Sequence, residues 1–351
     1  MTCTAAKPIA KRDLSEVLDH TRDFWSEVRG ERILLTGGTG FFGCWLLEGF
    51  LHANRALGLG AEITVLTRDP VRFSEKAPHL AHDPAVQLLQ GDIRSFAFPA
   101  GEFGYLIHAA ADTSAQAAEQ SIELLGSMID GTRRVMDFAS SHGTRKLLMV
   151  SSGAVYGPQP PEIAHMPENW LGGPDWLNPQ AAYGEGKRAA EMIAALYARQ
   201  HGIDCRIARC FAFVGPHLPL DTHFAIGNFI RDVIEGKPIL IQGDGTPLRS
   251  YLYTADLTIW LWTMLLRAAE GGGCWNVGSS EAVSIADLAR AVVDALGVKA
   301  PITIMRSAAP GVPLTQYVPS VDKAQRELGL QVWVGLREAI RRTAAWYGFT
   351  L

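Results

Sequence analysis

The sequence has little of what marks secreted, metal-binding or membrane-spanning proteins. Five cysteines occur among 351 residues, and no two of them are spaced as C-x-x-C, which predicts reduced thiols and no zinc site. The apolar stretch 257–266 is ten residues long and includes two threonines, so it is too short to cross a bilayer. The first twelve residues contain no apolar signal-peptide core. We therefore expect a cytoplasmic protein without a metal site.

An excess of positive charge is also absent. Lysine and arginine number 32 against 36 for aspartate and glutamate, which gives a formal net charge of −4. This composition offers no basic footprint for nucleic acid or for an anionic membrane surface, so neither is expected as a partner. The hydrophobic content of 48% and the chain length allow a large core, in one large domain or in two closely joined domains.

Glycine, in contrast, is concentrated in one short turn. The apolar stretch 32–36 is typical of a strand, and Gly37, Gly38, Gly40 and Gly43 follow it before a second apolar run. These glycines satisfy both G-x-G-x-x-G and G-x-x-G-x-x-G. A turn of this kind between a strand and a helix lets backbone N–H groups approach a pyrophosphate, and the helix N-terminus adds partial positive charge. The turn therefore predicts a dinucleotide site, and a purely structural tight turn is the alternative.

Strand-like and helical stretches alternate along most of the chain. The helical stretch 13–28 comes first, with Asp13 as its expected N-cap. The alternation that follows predicts an α/β fold with a doubly wound parallel sheet, the Rossmann architecture, and right-handed crossovers. The strands expected in this sheet are 32–36, 62–67, 86–93, 105–111 and 146–152.

We expect the chain to divide into three parts. Residues 1–30 form an N-terminal helical extension and 31–205 a dinucleotide-binding domain. Residues 206–351 form mainly a smaller C-terminal α/β substrate domain, from which about 251–275 return to the Rossmann core. The Pro- and Gly-rich stretch 153–182 has little periodicity, and a loop of that length in a compact domain is more often functional than idle.

The end of the second strand bears on which dinucleotide binds. An acid at this position accepts hydrogen bonds from both adenosine ribose hydroxyls and repels a 2′-phosphate. Thr67 stands there instead, and Arg68 follows it. Because an arginine neutralises a 2′-phosphate, the sequence favours NADP over NAD. Asp69 keeps the NAD alternative open, since it could reach the ribose while Arg68 serves only as a surface charge.

Three side chains in the middle of the chain suit proton and hydride chemistry. Tyr183 and Lys187 are four residues apart and so share one face of a helix. A lysine cation favours the phenolate form of a nearby tyrosine, and an oxidised nicotinamide ring adds positive charge. Ser152, at the end of the fifth strand, can hydrogen-bond the oxygen of an alcohol or ketone. Together with a hydride acceptor these groups predict an alcohol/ketone redox site.

In this order the segments resemble the extended short-chain dehydrogenase/reductase family, which contains nucleotide-sugar epimerases, dehydratases and reductases. The resemblance covers about 31–345 and implies that Ser152, Tyr183 and Lys187 are catalytic, with Lys187 also holding the nicotinamide ribose. The segment 243–253 is similar to the substrate-domain motif, which implies that Arg249 binds the diphosphate of a nucleotide sugar. Besides Arg68, Tyr183 and Lys187, the cofactor contacts implied are Gly37, Thr39, Gly40, Phe41, Phe42, Gly43, Asp92, Ile93, Ala109, Ala110 and Ala111.

Departures from the family pattern narrow the chemistry. The family's 4,6-dehydratases carry Thr, Asp and Glu where this chain has Ser152, Gly153 and Ala154, and its decarboxylases need Glu at the position of Ala154. With no acid there, dehydration is disfavoured and simple hydride transfer is expected. Ala212 and Met128 stand where the family often has asparagine, so the sugar pocket differs in detail.

Four functions stay open on the sequence alone. A 4-ketoreductase that consumes NADPH is favoured by Arg68, and a nucleotide-sugar 4-epimerase that holds NAD tightly is the alternative. The third is a catalytically inactive nucleotide-binding sensor or scaffold, and the fourth is reduction of a non-sugar ketone or aldehyde. The resemblance also implies a homodimer through the helical segments 116–141 and 182–200. The alternative is that the apolar faces of both segments pack only on the sheet.

Overall fold

A parallel sheet of seven strands lies at the centre of the computed structural model, which describes residues 6–111, 120–222, 224–308, 311 and 314–350. Its strands are β1 (Arg32–Thr36), β2 (Glu62–Thr67), β3 (Val86–Gln90), β4 (Tyr105–His108), β5 (Lys146–Ser152), β6 (Asp204–Cys210) and β11 (Gly273–Val277). They lie in the order β11-β6-β5-β4-β1-β2-β3. The expectation of a doubly wound parallel sheet is thereby confirmed.

Two hydrophobic cores, one on each face, cover this sheet. Successive strand residues point to opposite faces: Ile33 and Leu35 of β1 belong to one core, and Leu34 belongs to the other. Every residue of β4 is buried, as expected for a parallel strand covered on both faces. The helices that cover the sheet and the C-terminal part are α1 (Lys11–Thr21), α2 (Phe41–Leu57), α3 (Pro70–Lys76), α4 (Pro78–Ala81), α5 (Ser121–Ser141), α6 (Ala182–His201), α7 (Ala225–Ile234), α8 (Thr254–Leu266), α9 (Ile285–Leu296), α10 (Asp322–Leu328) and α11 (Leu336–Trp346).

Helix α8 contains the largely apolar stretch 257–266. All of its residues, 254–266, are buried, because it packs between the sheet and the helices α1 and α2. A helix that is buried on all sides is a core helix rather than a surface one. It leads directly into β11, which pairs in parallel with β6. The stretch 251–275 thus contributes to the central sheet, and β6 runs through the domain boundary predicted at 205. The domain limits themselves stay a prediction.

Short strands build the C-terminal part of the molecule. Strand β9 lies between β12 and β14, with β12 antiparallel and β14 parallel to it. Two further pairs, β7 with β10 and β8 with β13, are parallel. Their bounds are β7 (Phe213–Val214), β8 (Ile239–Ile241), β9 (Leu248–Arg249), β10 (Leu252–Tyr253), β12 (Val283–Ser284), β13 (Ile302–Ile304) and β14 (Gln316–Tyr317).

The N-terminal stretch is helical, but Asp13 does not cap it. Helix α1 begins at Lys11 after Ala10, and a 3₁₀ helix continues over 22–28. Asp13 lies inside α1, is 2% exposed and accepts hydrogen bonds from Tyr253 (2.9 Å) and Arg342 (2.5 Å). The predicted N-cap is therefore wrong. The Asp13 carboxylate instead connects α1 to Tyr253 and Arg342, which are distant in sequence.

Candidate active site

The glycine turn between β1 and α2 is formed by glycines with different constraints. Gly37 has a φ of +75°, and a Cβ there would lie 2.6 Å from the carbonyl carbon of Ala109. A Cβ on Gly43 would lie 2.3 Å from the carbonyl oxygen of Gly37. Both close approaches require glycine. Gly40 is different, because the nearest atom to its Cβ position is 3.4 Å away, which leaves the space above it to a ligand.

The amino end of α2 meets this open space. Gly40 is the N-cap residue and no side chain caps the helix. The first N–H groups of a helix have no intrahelical partner, so Phe41, Phe42 and Gly43 present donors where a pyrophosphate is expected. Phe42 packs its ring edge-on against Phe213 at 4.9 Å between centroids. The residues present therefore fit a dinucleotide pyrophosphate.

A buried histidine fixes the carboxyl ends of β1 and β4 beside the glycine turn. His108 Nδ1 lies 2.8 Å from Thr36 Oγ1, and its Nε2 lies 3.1 Å from Thr132 Oγ1 on α5. Burial lowers the pKa of His108 to about 3, so the ring is neutral. The backbone N–H of Ala110 also donates to Thr36 Oγ1, at 3.2 Å. The stretch 109–111 is thus held at the switch point between β1 and β4, where ligands of such sheets bind.

The region after β2 carries the predicted adenosine-binding residues. Arg68 is exposed and its charge contributes to the lowered pKa of Asp92, although the Arg94 hydrogen bond is the larger cause. Asp69 is engaged elsewhere, because its carboxylate accepts from the N–H of Arg72 at 2.9 Å and caps α3. One oxygen of the Asp69 carboxylate is therefore engaged in capping α3, and both Arg68 and Asp69 are exposed to solvent.

Two neighbouring side chains complete the surroundings of the cofactor turn. Lys76, at the end of α3, donates from Nζ to the carbonyl oxygen of Thr39 at 2.8 Å, which places a cation at the turn that no sequence motif marks. Ile93 packs against Gly131 of α5, where a Cβ would lie 2.9 Å from it. Thr39 and Ile93, both expected at the cofactor, are thus anchored by α3 and α5.

Ser152, Tyr183 and Lys187 come together at the carboxyl end of β5. Ser152 is the last residue of β5, and Tyr183 and Lys187 lie one turn apart at the start of α6. The Ser152 hydroxyl acts on the Tyr183 phenol and lowers its pKa, although burial is the larger influence and raises it. Lys187 is 4% exposed and donates from Nζ to the carbonyl oxygen of Val150 at 2.8 Å. The structure therefore assembles the three side chains that the sequence selected.

The electrostatics of this trio differ from the expectation based on lysine alone. Burial raises the pKa of Tyr183 to about 12, and the Ser152 hydrogen bond only partly opposes this. Burial also lowers the pKa of Lys187 to about 8, against the raising effects of Cys210 and Glu191. In the protein by itself, desolvation is thus the largest influence on the pKa of both groups. Lys187 is still mainly cationic at neutral pH.

A second phenol, Tyr317 of β14, enters the same site. Its ring packs on Phe211 at 4.6 Å between centroids, and its hydroxyl lies beside Gly153, 2.8 Å from the position of a Cβ there. Tyr317 pairs in register with Arg249 of β9, so the C-terminal strands place the arginine that is predicted to bind a diphosphate next to Tyr317. Sequence reasoning missed Tyr317, which lies in a two-residue strand outside any motif.

Other chemistry is scarce in the part of the chain that the structure describes. No group of three or more His, Cys, Asp or Glu side chains there could hold a metal ion. Within the same residues no helix is long and apolar enough to cross a membrane.

Met128 stands where the family often has asparagine. It is buried and lies against Gly186, where a Cβ would be 2.7 Å from the Met128 sulfur. It packs α5 on α6.

A Rossmann sheet with a glycine turn at its switch point defines a dinucleotide-binding protein. The profile of the NAD dependent epimerase/dehydratase family matches residues 33–278, and the chain belongs to this family. The resemblance to extended short-chain dehydrogenases/reductases is thereby confirmed. The chain is 28% identical over 312 residues to UDP-glucuronic acid decarboxylase 3 of Arabidopsis thaliana, covering 88% of this chain and 86% of the relative.

Other relatives point to the same family. The chain is 28% identical over 328 residues to dTDP-glucose 4,6-dehydratase of Streptomyces antibioticus, covering 90% of this chain and 92% of that protein. Among solved structures, MoeE5 in complex with UDP-glucuronic acid and NAD is 26% identical, with a TM-score of 0.73 and coverage of 90% and 98%. DesIV, the dTDP-glucose 4,6-dehydratase of Streptomyces venezuelae with NAD bound, is 25% identical, with a TM-score of 0.75 and coverage of 90% and 96%.

Proposed function

We propose that the protein transfers hydride between a nicotinamide cofactor and a ring carbon, C4, of a nucleotide sugar. The observation that carries this proposal is the convergence of Ser152, Tyr183 and Lys187 at the carboxyl end of β5, two strands from the glycine turn. Tyr183 takes the proton of the sugar hydroxyl in oxidation and returns it in reduction. Ser152 donates a hydrogen bond to the same sugar oxygen.

Lys187 prepares Tyr183 for this task. Its Nζ is anchored on the Val150 carbonyl, which holds the cation one helical turn from the phenol. A bound oxidised nicotinamide supplies the hydride acceptor and a further positive charge that favours the phenolate. Because burial alone raises the pKa of Tyr183 to about 12, both charges are needed to bring the phenolate into the neutral range.

Arg249 supports a diphosphate-bearing substrate. In the described part of the chain no carboxylate pairs with its guanidinium, which donates only to the adjacent Leu248 carbonyl at 2.8 Å. An unpaired arginine beside an active site suits a phosphate, which it can bind in a bidentate manner. The relatives named above act on UDP-glucuronic acid and dTDP-glucose, or bind UDP-glucuronic acid. We therefore infer a nucleoside diphosphate sugar.

The site lacks the acid that other branches of the family use. Gly153 and Ala154 bring no carboxylate to the end of β5, and the space beside Gly153 is taken by the Phe211 ring and the Tyr317 hydroxyl, 2.7 and 2.8 Å from a Cβ placed there. Dehydration and decarboxylation are disfavoured on this ground. Hydride transfer without elimination, as in a 4-ketoreductase or a 4-epimerase, is the chemistry that the residues support.

Reductase and epimerase differ in what happens to the cofactor. The exposed Arg68 and the engagement of Asp69 in capping α3 support NADP and therefore the reductase. The epimerase is the second candidate, since MoeE5 and DesIV were solved with NAD. Cofactor stoichiometry separates the two. A reductase consumes one NADPH per 4-keto sugar, whereas an epimerase retains NAD through purification and turns over without net consumption.

The proposal is tested by removing a single hydroxyl. Tyr183→Phe is expected to lower kcat by about 10³-fold, because general acid–base groups contribute on that order, while the affinity for the nicotinamide cofactor is kept. Tyr197→Phe is the matched control, since Tyr197 lies on the same helix and its hydroxyl binds Asp137 at 2.6 Å. Equal activities of the two variants, or a wild type without turnover that binds nucleotide, would favour the sensor or scaffold.

We also propose a homodimer through α5 and α6. Both helices expose large apolar side chains: Ile122 is 88%, Met192 62% and Leu196 60% exposed. Exposed apolar side chains grouped on adjacent helices are typical of an interface rather than of a solvated surface. Residues 116–119 of the predicted interface lie outside the described part of the chain.

A further inference from the structure

The segment 6–9, here called the N-terminal strap, lies ahead of α1 and connects two helices beside the glycine turn. The N–H of Ala6 donates to the carbonyl oxygen of Lys76, the last residue of α3, at 2.6 Å. Ile9 is 3% exposed, and its N–H donates to the Glu48 carboxylate of α2 at 3.0 Å. The N-terminal strap therefore joins the end of α3 to the helix that follows the glycine turn.

Two further contacts hold the N-terminal strap in place. The carbonyl oxygen of Pro8 accepts from the indole Nε1 of Trp346 on α11 at 3.3 Å. The Glu48 carboxylate that binds the strap is itself buried, and His79 of α4 lies 2.9 Å from it. The strap is thus bound to α2, α3 and α11, and α4 shares its contact on α2.

Helix α3 is too short to be stable without such contacts. It has seven residues, of which Phe73 alone is buried, and isolated helices of this length are marginal in water. The last carbonyl groups of a helix have no intrahelical partner, and the N–H of Ala6 satisfies the one on Lys76. The position of Lys76 therefore depends on the N-terminal strap as well as on the packing of Phe73.

The side chain of Lys76 reaches the cofactor turn. Its Nζ donates to the carbonyl oxygen of Thr39 at 2.8 Å, and Thr39 directly precedes Gly40, the N-cap of α2. In the described part of the chain no carboxylate pairs with this ammonium group. A helix N-terminus carries partial positive charge, so a cation there is unfavourable unless an anion joins it. A phosphate group of a dinucleotide is such an anion.

We propose that the N-terminal strap is part of the cofactor site, because it holds Lys76 where the ammonium group meets a phosphate of the dinucleotide. The inference rests on the dinucleotide binding that the proposed function includes. The strap lies ahead of residues 33–278, which match the family profile. The phosphate is either the diphosphate, which NAD and NADP share, or the 2′-phosphate, which only NADP carries.

Lys76→Met is the first test, because it removes the charge and keeps most of the side-chain length. We expect the Kd for the dinucleotide, measured by calorimetry, to rise about tenfold, the loss of a charge-assisted contact. An equal rise for NAD and NADP assigns the diphosphate, and a rise for NADP alone assigns the 2′-phosphate. Lys76→Arg, which keeps the charge, is expected to bind close to the wild type.

Thermal unfolding without cofactor separates this role from a structural one. Lys76→Met is expected to melt close to the wild type, since the lost hydrogen bond is offset by relief of the unfavourable charge at the start of α2. Lys237→Met is the matched control, because Lys237 is exposed and pairs with Glu235 at 2.6 Å, away from the turn. Its dinucleotide affinity is expected to be unchanged.

Ala6→Pro tests the strap, because proline lacks the N–H that binds the Lys76 carbonyl. We expect the Kd for the dinucleotide to rise about threefold, the loss of one neutral hydrogen bond. Since the strap acts through Lys76, Ala6→Pro is expected to cause no further loss in a Lys76→Met background. Effects that add fully in the double variant would show that the strap acts apart from Lys76 and would overturn the proposal.

These titrations need no sugar, so they are decided separately from the hydride transfer proposed above. A Lys76→Met protein that binds both dinucleotides as tightly as the wild type overturns the inference. A wild type that binds a dinucleotide but turns over no nucleotide sugar defeats the proposed reaction and leaves the inference to the measured affinities. A wild type that binds neither NAD nor NADP overturns both.

Discussion

At the scale of single residues, substitutions in the glycine turn are expected to separate an effect on folding from an effect on cofactor binding. Gly43→Ala is expected to destabilise the protein by several kcal/mol, since its Cβ would meet backbone at 2.3 Å and overpacking of this kind is costly. Gly40→Ala has room, with the nearest atom at 3.4 Å, so we expect a loss of about 1 kcal/mol for the changed N-cap. Its affinity for the dinucleotide is expected to fall strongly.

Thermal unfolding and cofactor titration by calorimetry distinguish these two effects. Gly40→Ala is expected to melt close to the wild type and to bind the cofactor at least about tenfold more weakly, because a methyl group blocks the approach of the pyrophosphate. A Gly40→Ala protein that binds the cofactor normally would contradict this assignment of the open space.

Arg249 gives a second prediction at this scale. Arg249→Ala is expected to weaken nucleoside diphosphate sugar binding by about 10- to 100-fold, the loss of a charge-assisted contact of roughly 1.5–3 kcal/mol. Arg290→Ala is the matched control, since Arg290 is exposed on α9 and pairs with Asp287 at 2.6 Å. Binding is measured by calorimetry. Unchanged affinity in Arg249→Ala would favour a non-sugar ketone or aldehyde as substrate.

Local sequence patterns predicted those residues whose surroundings are themselves local. The strand, turn and helix around Gly40 follow one another along the chain, and Tyr183 and Lys187 share a helix face by spacing alone. Tyr317 was not predicted because its ring contact with Phe211 and its position beside Gly153 exist only after β14 pairs with β9. Asp13 was misread for the same reason, since a helix-start pattern gives no sign of Tyr253 and Arg342 in the folded protein.

At the scale of elements, α8 carries a buried acid that makes stability depend on pH. Asp256 in its first turn is fully buried, and its Oδ2 accepts from the N–H groups of Trp333 and Val334, both at 3.1 Å. Desolvation nevertheless raises the pKa of Asp256 to about 7 from an ordinary value of 3.8. Between pH 3.8 and about pH 7, Asp256 keeps a proton in the folded protein that it has lost in the unfolded chain. The free energy of unfolding therefore falls as the pH rises through this range.

Asp256→Asn removes this titration and preserves an oxygen acceptor. The free energy of unfolding of the wild type is expected to fall between pH 5 and pH 8 by on the order of 2–3 kcal/mol more than that of the variant. Urea denaturation at several pH values measures the difference between the two curves. Parallel curves for the wild type and Asp256→Asn would show that the Asp256 carboxylate is already ionised at pH 5.

Among the elements, the long strands and helices were predictable and the short strands were not. Strands β1 to β5 and helices α5 and α6 carry enough apolar residues to be recognised from the sequence. The two-residue strands β7, β9, β10, β12 and β14 carry no period, and tertiary pairing alone defines them. The substrate side of the candidate site is built from such strands, so the sequence predicted only part of it.

At the scale of the whole molecule, the proposed homodimer is the property to test. Leu196→Glu places a charge on the exposed face of α6 and is expected to yield a monomer, since burying an unpaired carboxylate costs several kcal/mol. Val71→Glu is the matched control, because Val71 is also exposed, at 67%, but lies on α3. Light scattering gives the mass in each case. A wild type of monomer mass would refute the dimer.

The path of the chain through the sheet limits how this protein can be recombined with its relatives. After β6 the chain leaves the sheet, returns through α8 to place β11 beside β6, and leaves again towards β14. A chimaera made with a single crossover after β6 would therefore join the sheet to a foreign β11 and a foreign α8. Exchange of substrate specificity needs two inserted segments, about 211–253 and 278–350, with α8 and β11 retained between them.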